Sequence, residues 1–151
     1  MKQKGFSLLE IIIVMAVIGL LSAIVIPSFN GTKTSKVLKV TSTNIDAILE
    51  QVKGNALAGK DGLNQGIYFT STGYTPFEGT SYASSNSKGA TQTIDGALSI
   101  TTTAPSSNVI FSRISGNANA VSTTTISITS TPSKKVDIVV GTLGDISMIQ
   151  Y

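Results

Sequence analysis

From Phe6 to Ile26 the chain reads FSLLEIIIVMAVIGLLSAIVI, in which only Ser7, Glu10, Gly19 and Ser22 are not plainly apolar. As a helix rising 1.5 Å per residue the run is about 31 Å long, which matches a bilayer hydrocarbon core of roughly 30 Å. Lys2 and Lys4 precede it, so the positive-inside rule places the N-terminus in the cytoplasm and everything after Pro27 outside. Three readings compete for the segment. A cleaved secretory signal calls for a shorter apolar core and small residues at alternating positions before the cut, and only Leu21 and Ala23 stand in that arrangement. A plain anchor accounts for the length but not for Glu10, because a carboxylate deep in a bilayer costs about 3 kcal/mol, and less near the helix end. The third reading is a helix that needs its acid.

Composition removes most other chemistry. The 151 residues include no Cys, His or Trp. Thiolate and imidazole zinc sites, thiol nucleophiles and histidine bases are excluded, and no disulfide framework reports an oxidising compartment. No cofactor is expected, and nothing supports an enzyme. Eleven basic against 8 acidic residues give a net charge of +3, but Lys2 and Lys4 carry most of that surplus, so no polyanion partner is implied. The length holds one compact domain and an appendage. With 39 Ser and Thr and only 13% charged residues, the chain is polar through hydroxyls, which favours strands and turns.

Beyond Pro27, Leu38, Ile45, Ile48, Leu49, Val52 and Ala56 recur at helical spacing, while Lys33, Lys36 and Lys39 form a row on another side that reads as a solvated face. The helix is expected to kink at Pro27, continue to about Leu57 and end at Gly59 and Gly62. Gly19 weakens it locally or provides a packing contact. GIYFT at 66–70 and ALSIT at 97–101 read as short strands, and GTSYASSNSKGATQ as a loop. NVIFSRI, TTISIT, KKVDIVV and DISMIQ read as four strands of a C-terminal antiparallel meander, parted by the turns SGNANAVST, STPSK and GTLG. The expected class is α+β: a long N-terminal helix, its first half membrane-spanning, packed on a C-terminal antiparallel sheet. Residues 1–5 are a leader, 6–31 a transmembrane or core helix, 32–58 its amphipathic continuation, and 59–151 a β-rich head. Asp137 and Asp145 make a poor calcium pair, since such a site needs six or more oxygens. Arg113, Lys134 and Lys135, without interleaved aromatics, make a poor nucleic-acid surface.

KGFSLLE followed by a long apolar helix resembles the N-terminal signature of type IV prepilins and of the pseudopilins of type II secretion. The resemblance covers residues 1 to about 31 and rests on the basic leader, Gly5, Phe6, Glu10, Gly19 and Pro27. It implies that a membrane prepilin peptidase cuts between Gly5 and Phe6, where glycine lets a protease approach the backbone, and methylates the new amine of Phe6. It further implies that Glu10 neutralises that amine on a neighbouring subunit. The four-residue spacing also permits a contact within one helix. The implied partners are the peptidase/methyltransferase, identical or related pilin subunits, the inner membrane, and an assembly platform with its ATPase. VIFSRISG and IVVGTLGDI resemble, more weakly, the ending of H-type minor pseudopilins and their pilus counterparts. Lacking Cys, the chain departs from pilins that end in a disulfide-closed loop. The implied function is a structural subunit of a type IV pilus-like filament, with a minor pseudopilin of type II secretion or a DNA-uptake minor pilin as alternatives.

Overall fold

The structure, a computed structural model, describes the backbone of residues 7–151 and the side chains of residues 7–22 and 32–151. The chain forms two compact units, Met1–Thr34 and Ser35–Tyr151, and one helix, α1 (Leu8–Leu57), contributes to both. The helix is continuous through Gly19 and Pro27. It stops at Leu57 because Gly59 adopts a left-handed conformation (φ 63°), which glycine takes without a Cβ penalty.

In the first unit every described side chain from Ser7 to Ser22 is exposed. Among the described residues no helix is long and apolar enough to cross a membrane; the described side chains of the run stop at Ser22, short of the roughly 20 apolar residues a span needs.

The second unit is the folded head. Eight strands follow α1: β1 (Gln65–Thr70), β2 (Gly73–Glu78), β3 (Gln92–Thr93), β4 (Leu98–Thr102), β5 (Asn108–Phe111), β6 (Ser122–Ile128), β7 (Thr131–Val140) and β8 (Ile146–Gln150). They form two antiparallel four-stranded sheets, ordered β3-β2-β1-β5 and β4-β6-β7-β8. The apolar stripe of α1, Leu38, Ile45, Leu49, Val52 and Ala56, joins Ile67, Phe69, Ile100, Phe111, Ile126, Val136 and Ile138 in one core. Ile48 is only half-buried at its margin, and Lys33, Lys36 and Lys39 are exposed. Ser42 sits in the middle of the buried stripe, and its hydroxyl donates to the Leu38 carbonyl at 2.8 Å, so its burial leaves no donor unpaired.

Strand alternation does the same for the sheets. On β6 the burial alternates from Ser122 through Thr124 and Ile126 to Ile128, and Val136, Ile138 and Val140 are buried on β7. The outward positions of β4 and β6 pair hydroxyl with hydroxyl, Ser99 opposite Ser127 and Thr101 opposite Thr125.

Three expectations need correction. The four-strand terminal meander is a three-strand one, β6-β7-β8, because β5 pairs instead with β1 in the other sheet, with Val109 opposite Ile67. The segment 71–80, where no strand is expected, forms β2. Its Pro76 is tolerated because the Pro76 carbonyl faces away from β1 and accepts from Lys88 N–H (2.8 Å), so the missing donor falls on the open side. STPSK is partly strand as well: β7 begins at Thr131, opposite Ile128, and only Pro132–Lys134 fall outside the register before Lys135 meets Ser127.

Candidate functional site

The functional expectations concentrate at the start of α1, and local chemistry explains why the helix begins there. Ser7 precedes the first helical residue, and its Oγ accepts the backbone N–H of Glu10 at 3.3 Å. Ser7-Leu8-Leu9-Glu10 is thus a serine cap with an acid three positions on, the spacing of a capping box. Glu10 lies in the first turn, where the helix dipole favours negative charge. The sequence carried this signal as S-x-x-E. The acid therefore has a role within its own chain, at the helix end, beside any role toward a neighbour.

The surroundings of Glu10 are apolar on every side of the helix. Ile11, Ile12, Ile13, Val14, Met15, Val17, Ile18, Leu20 and Leu21 follow, from 49% exposed at Val17 to 71% at Leu20. Every described side chain of this stretch is exposed, whichever way round the helix it points. Successive residues lie about 100° apart around the axis, so the apolar surface forms a sleeve rather than a stripe. At Gly19 an added Cβ meets nothing within 4 Å, which leaves room for close approach by another helix. Gly5 and Phe6, with the expected cut between them, lie outside the described residues, as does the side chain of Pro27.

The head holds a second polar cluster. Glu78 closes β2 with its side chain 7% exposed, accepts from Gln65 Nε2 at 3.3 Å and lies 2.8 Å from Lys88 Nζ. Lys88 also reaches Asp61 at 3.7 Å. The Glu78 carboxylate, and after it Asp61, raises the Lys88 ammonium above its ordinary pKa. The Glu78 side chain, and after it the Lys88 and Lys60 ammoniums, hold the Asp61 carboxyl below its ordinary pKa. Glu78, Gln65, Lys88 and Lys60 line an open cavity of about 470 Å³ together with Gln51 and Gln92. Asn86 Nδ2 donates to the carbonyls of Glu78 (2.7 Å) and Ser81 (2.9 Å), and Tyr82 stacks on Tyr68 at 4.3 Å. The arrangement latches the loop between β2 and β3 to the sheet.

The remaining candidates are drawn apart. Arg113 donates from its guanidinium to the Gly62 carbonyl at 3.0 Å, beside the end of α1. Lys135 lies 3.4 Å from Asp137 and 4.7 Å from the centre of the Tyr151 ring. Asp137 also accepts from Thr125 Oγ1 at 2.6 Å, whereas Asp145 sits in the turn before β8. Among the described residues no three His, Cys, Asp or Glu side chains gather to hold a metal.

Against known proteins, residues 1–26 match the prokaryotic N-terminal methylation motif. No curated protein sequence matches the chain significantly. Its structure is similar to the minor pseudopilin EpsH from the type 2 secretion system of Vibrio cholerae, with 14% identity, a TM-score of 0.59, and coverage of 75% of this chain and 96% of that one. It is also similar to the type IV minor pilin FimU of Pseudomonas aeruginosa, with 12% identity, a TM-score of 0.58, and coverage of 74% and 92% respectively. The chain therefore joins a prepilin-type N-terminal motif to the α+β pilin-like fold.

Proposed function

We propose that this chain is a structural subunit of a type IV pilus-like filament, made as a membrane-held precursor and assembled through the first half of α1. The observation that supports the proposal is the apolar sleeve from Leu8 to Leu21, in which every described side chain is exposed. Exposed apolar surface that extensive has to be met by lipid or by other apolar helices. A subunit that exchanges one for the other uses the same side chains twice, first as the anchor and then in the filament core.

The chemistry follows from the motif. A peptidase cut between Gly5 and Phe6 places an ammonium at the N-terminus of the helix, four residues before Glu10. Methylation keeps the charge and lowers its hydration. In a low-dielectric bundle, the Glu10 carboxylate of one subunit neutralises the Phe6 amine of the next, and removing one partner leaves the other uncompensated. The pair sets register, while packing around Gly19 supplies contact. Pro27 lacks the N–H of an interior helical residue, so the helix, continuous in the single chain, has a weak point there at which to kink or loosen on assembly. The cytoplasmic leader, the membrane-held precursor pool, the assembly platform and its ATPase, and a non-enzymatic role all belong to this reading.

Similarity to EpsH favours a second reading, in which the same subunit serves the short pseudopilus of a secretion system. The test is the intact mass of the membrane-extracted protein with sheared surface fractions probed alongside. A mass beginning at methylated Phe6, with protein in sheared filaments, is expected for the pilus reading. The same mass with protein retained in the envelope supports the pseudopilus. A mature chain beginning elsewhere overturns both.

A further inference from the structure

Two four-stranded sheets present four edges, and three of them are capped, tethered or very short. At β5, Asn119 imitates a strand: its N–H donates to the Ile110 carbonyl (2.9 Å), its Oδ1 accepts from Ile110 N–H (3.0 Å), and its Nδ2 donates to the Asn108 carbonyl (3.2 Å). At β4, Ile100 N–H donates to the carbonyl of Ser71, in the turn between β1 and β2 (3.0 Å). β3 is only two residues long. Among the described residues nothing bonds to the outer edge of β8.

That open edge lacks the usual protections. β8 contains no proline, lysine or bulge, and it exposes Met148 (47%) and Ile149 (46%) on opposite faces. Tyr151 N–H donates inward to Lys135 at 3.1 Å, and the antiparallel alternation then turns the N–H and C=O groups of Ser147 and Ile149 toward β7. The groups of Ile146, Met148 and Gln150 point outward.

We propose that β8 pairs antiparallel with β8 of a second copy about a two-fold axis through Met148, joining two heads into one eight-stranded sheet. Three observations choose that occupant. The register is self-consistent: Met148 meets Met148 of the other copy and Ile146 meets Gln150, so outward donors face outward acceptors in both chains. Exposed apolar surface meets on the core side, where Met148 packs against itself, while on the other face Ile149 lies opposite Ser147. The charges agree, because the same register sets Asp145 of one copy beside Tyr151 of the other, whose ring carries the Lys135 ammonium. A two-fold normal to the sheet reverses the head portion of α1, which is layered on that sheet. The contact therefore joins subunits running in opposite directions, as on two separate assemblies, rather than neighbours along one. It stands independently of the filament reading above.

The native chain has no Cys, so paired cysteines report register cleanly. In detergent-extracted full chain, Met148→Cys is expected to form a covalent dimer on oxidation, while Ser84→Cys, exposed in the loop after β2, is not. Mixing Ser147→Cys chains with Ile149→Cys chains is expected to give the mixed dimer in excess over either homodimer, a preference that association through the apolar helix does not produce. Met148→Lys, which sets two ammoniums face to face at an exposed position, is expected to abolish the dimer in light scattering and leave circular dichroism unchanged. Met148→Cys crosslinking no better than Ser84→Cys, no preference in the mixture, or a dimer indifferent to Met148→Lys each overturns the proposal. A monomeric chain that takes up another protein's strand at β8 overturns it equally.

Discussion

At the scale of single residues, Glu10 holds two positions at once: third residue of a capped helix and lone acid of an apolar sleeve. Substitutions separate the two. Ser7→Ala removes the acceptor for the Glu10 N–H and is expected to cost the first turn about 1 kcal/mol, read as faster amide exchange at Leu9 and Glu10. Glu10→Gln keeps the shape and the cap and is expected to change that exchange little, yet to cut filament yield at least tenfold; parental yield means the cap is the whole of its role. The Lys88 latch makes a prediction about pH. Because Lys88 is held above its ordinary 10.5, its contribution is complete below that value and is lost as pH rises through the raised one. Asp61, held below 3.8, contributes above that value and loses its share as pH falls through the lowered one. Thermal midpoints are therefore expected to be flat around neutrality and to fall at both extremes, with Lys88→Met removing part of the alkaline fall.

At the scale of elements, one tightly constrained contact is a glycine under a ring. A Cβ at Gly66 of β1 falls 2.7 Å from the Phe77 ring of β2 and 2.9 Å from the Val109 carbonyl of β5. Gly66→Ala is expected to destabilise the head by about 1–3 kcal/mol in chemical denaturation. Ile45→Ala, at a site with no exposure between helix and sheets, is expected to cost about 2–5 kcal/mol. These elements differ in how plainly the sequence announced them. The α1 stripe was legible because Leu38, Ile45, Leu49, Val52 and Ala56 repeat at a period only a helix satisfies. β2 was not, because Gly73 and Pro76 are breakers by local rules, and only the pairing of Pro76 with Ile67 and the bond from Lys88 show that its missing N–H goes unused. The sheet assignment of β5 was hidden for a similar reason: Asn119, which closes its outer edge, reads in sequence as one more turn residue. Of the candidate site, the acid and the sleeve were evident as composition, while the cap needed the S-x-x-E spacing to be read as chemistry.

At the scale of the whole molecule, the division between exposed sleeve and packed head has a direct consequence. A chain shortened to residues 32–151 keeps every buried side chain named above, so it is expected to melt cooperatively without detergent, whereas the full chain needs detergent or lipid. Loss of the cooperative melt on shortening would show that the first unit stabilises the second. The outward hydroxyl pairs of β4 and β6, Ser99 with Ser127 and Thr101 with Thr125, carry a further implication. Neutral dipoles hydrate without gathering counterions, so on that wall the hydroxyl rows give dissolved salt little to screen beyond the neighbouring Lys135–Asp137 pair. Such a surface stays wetted in fresh water and in brine alike.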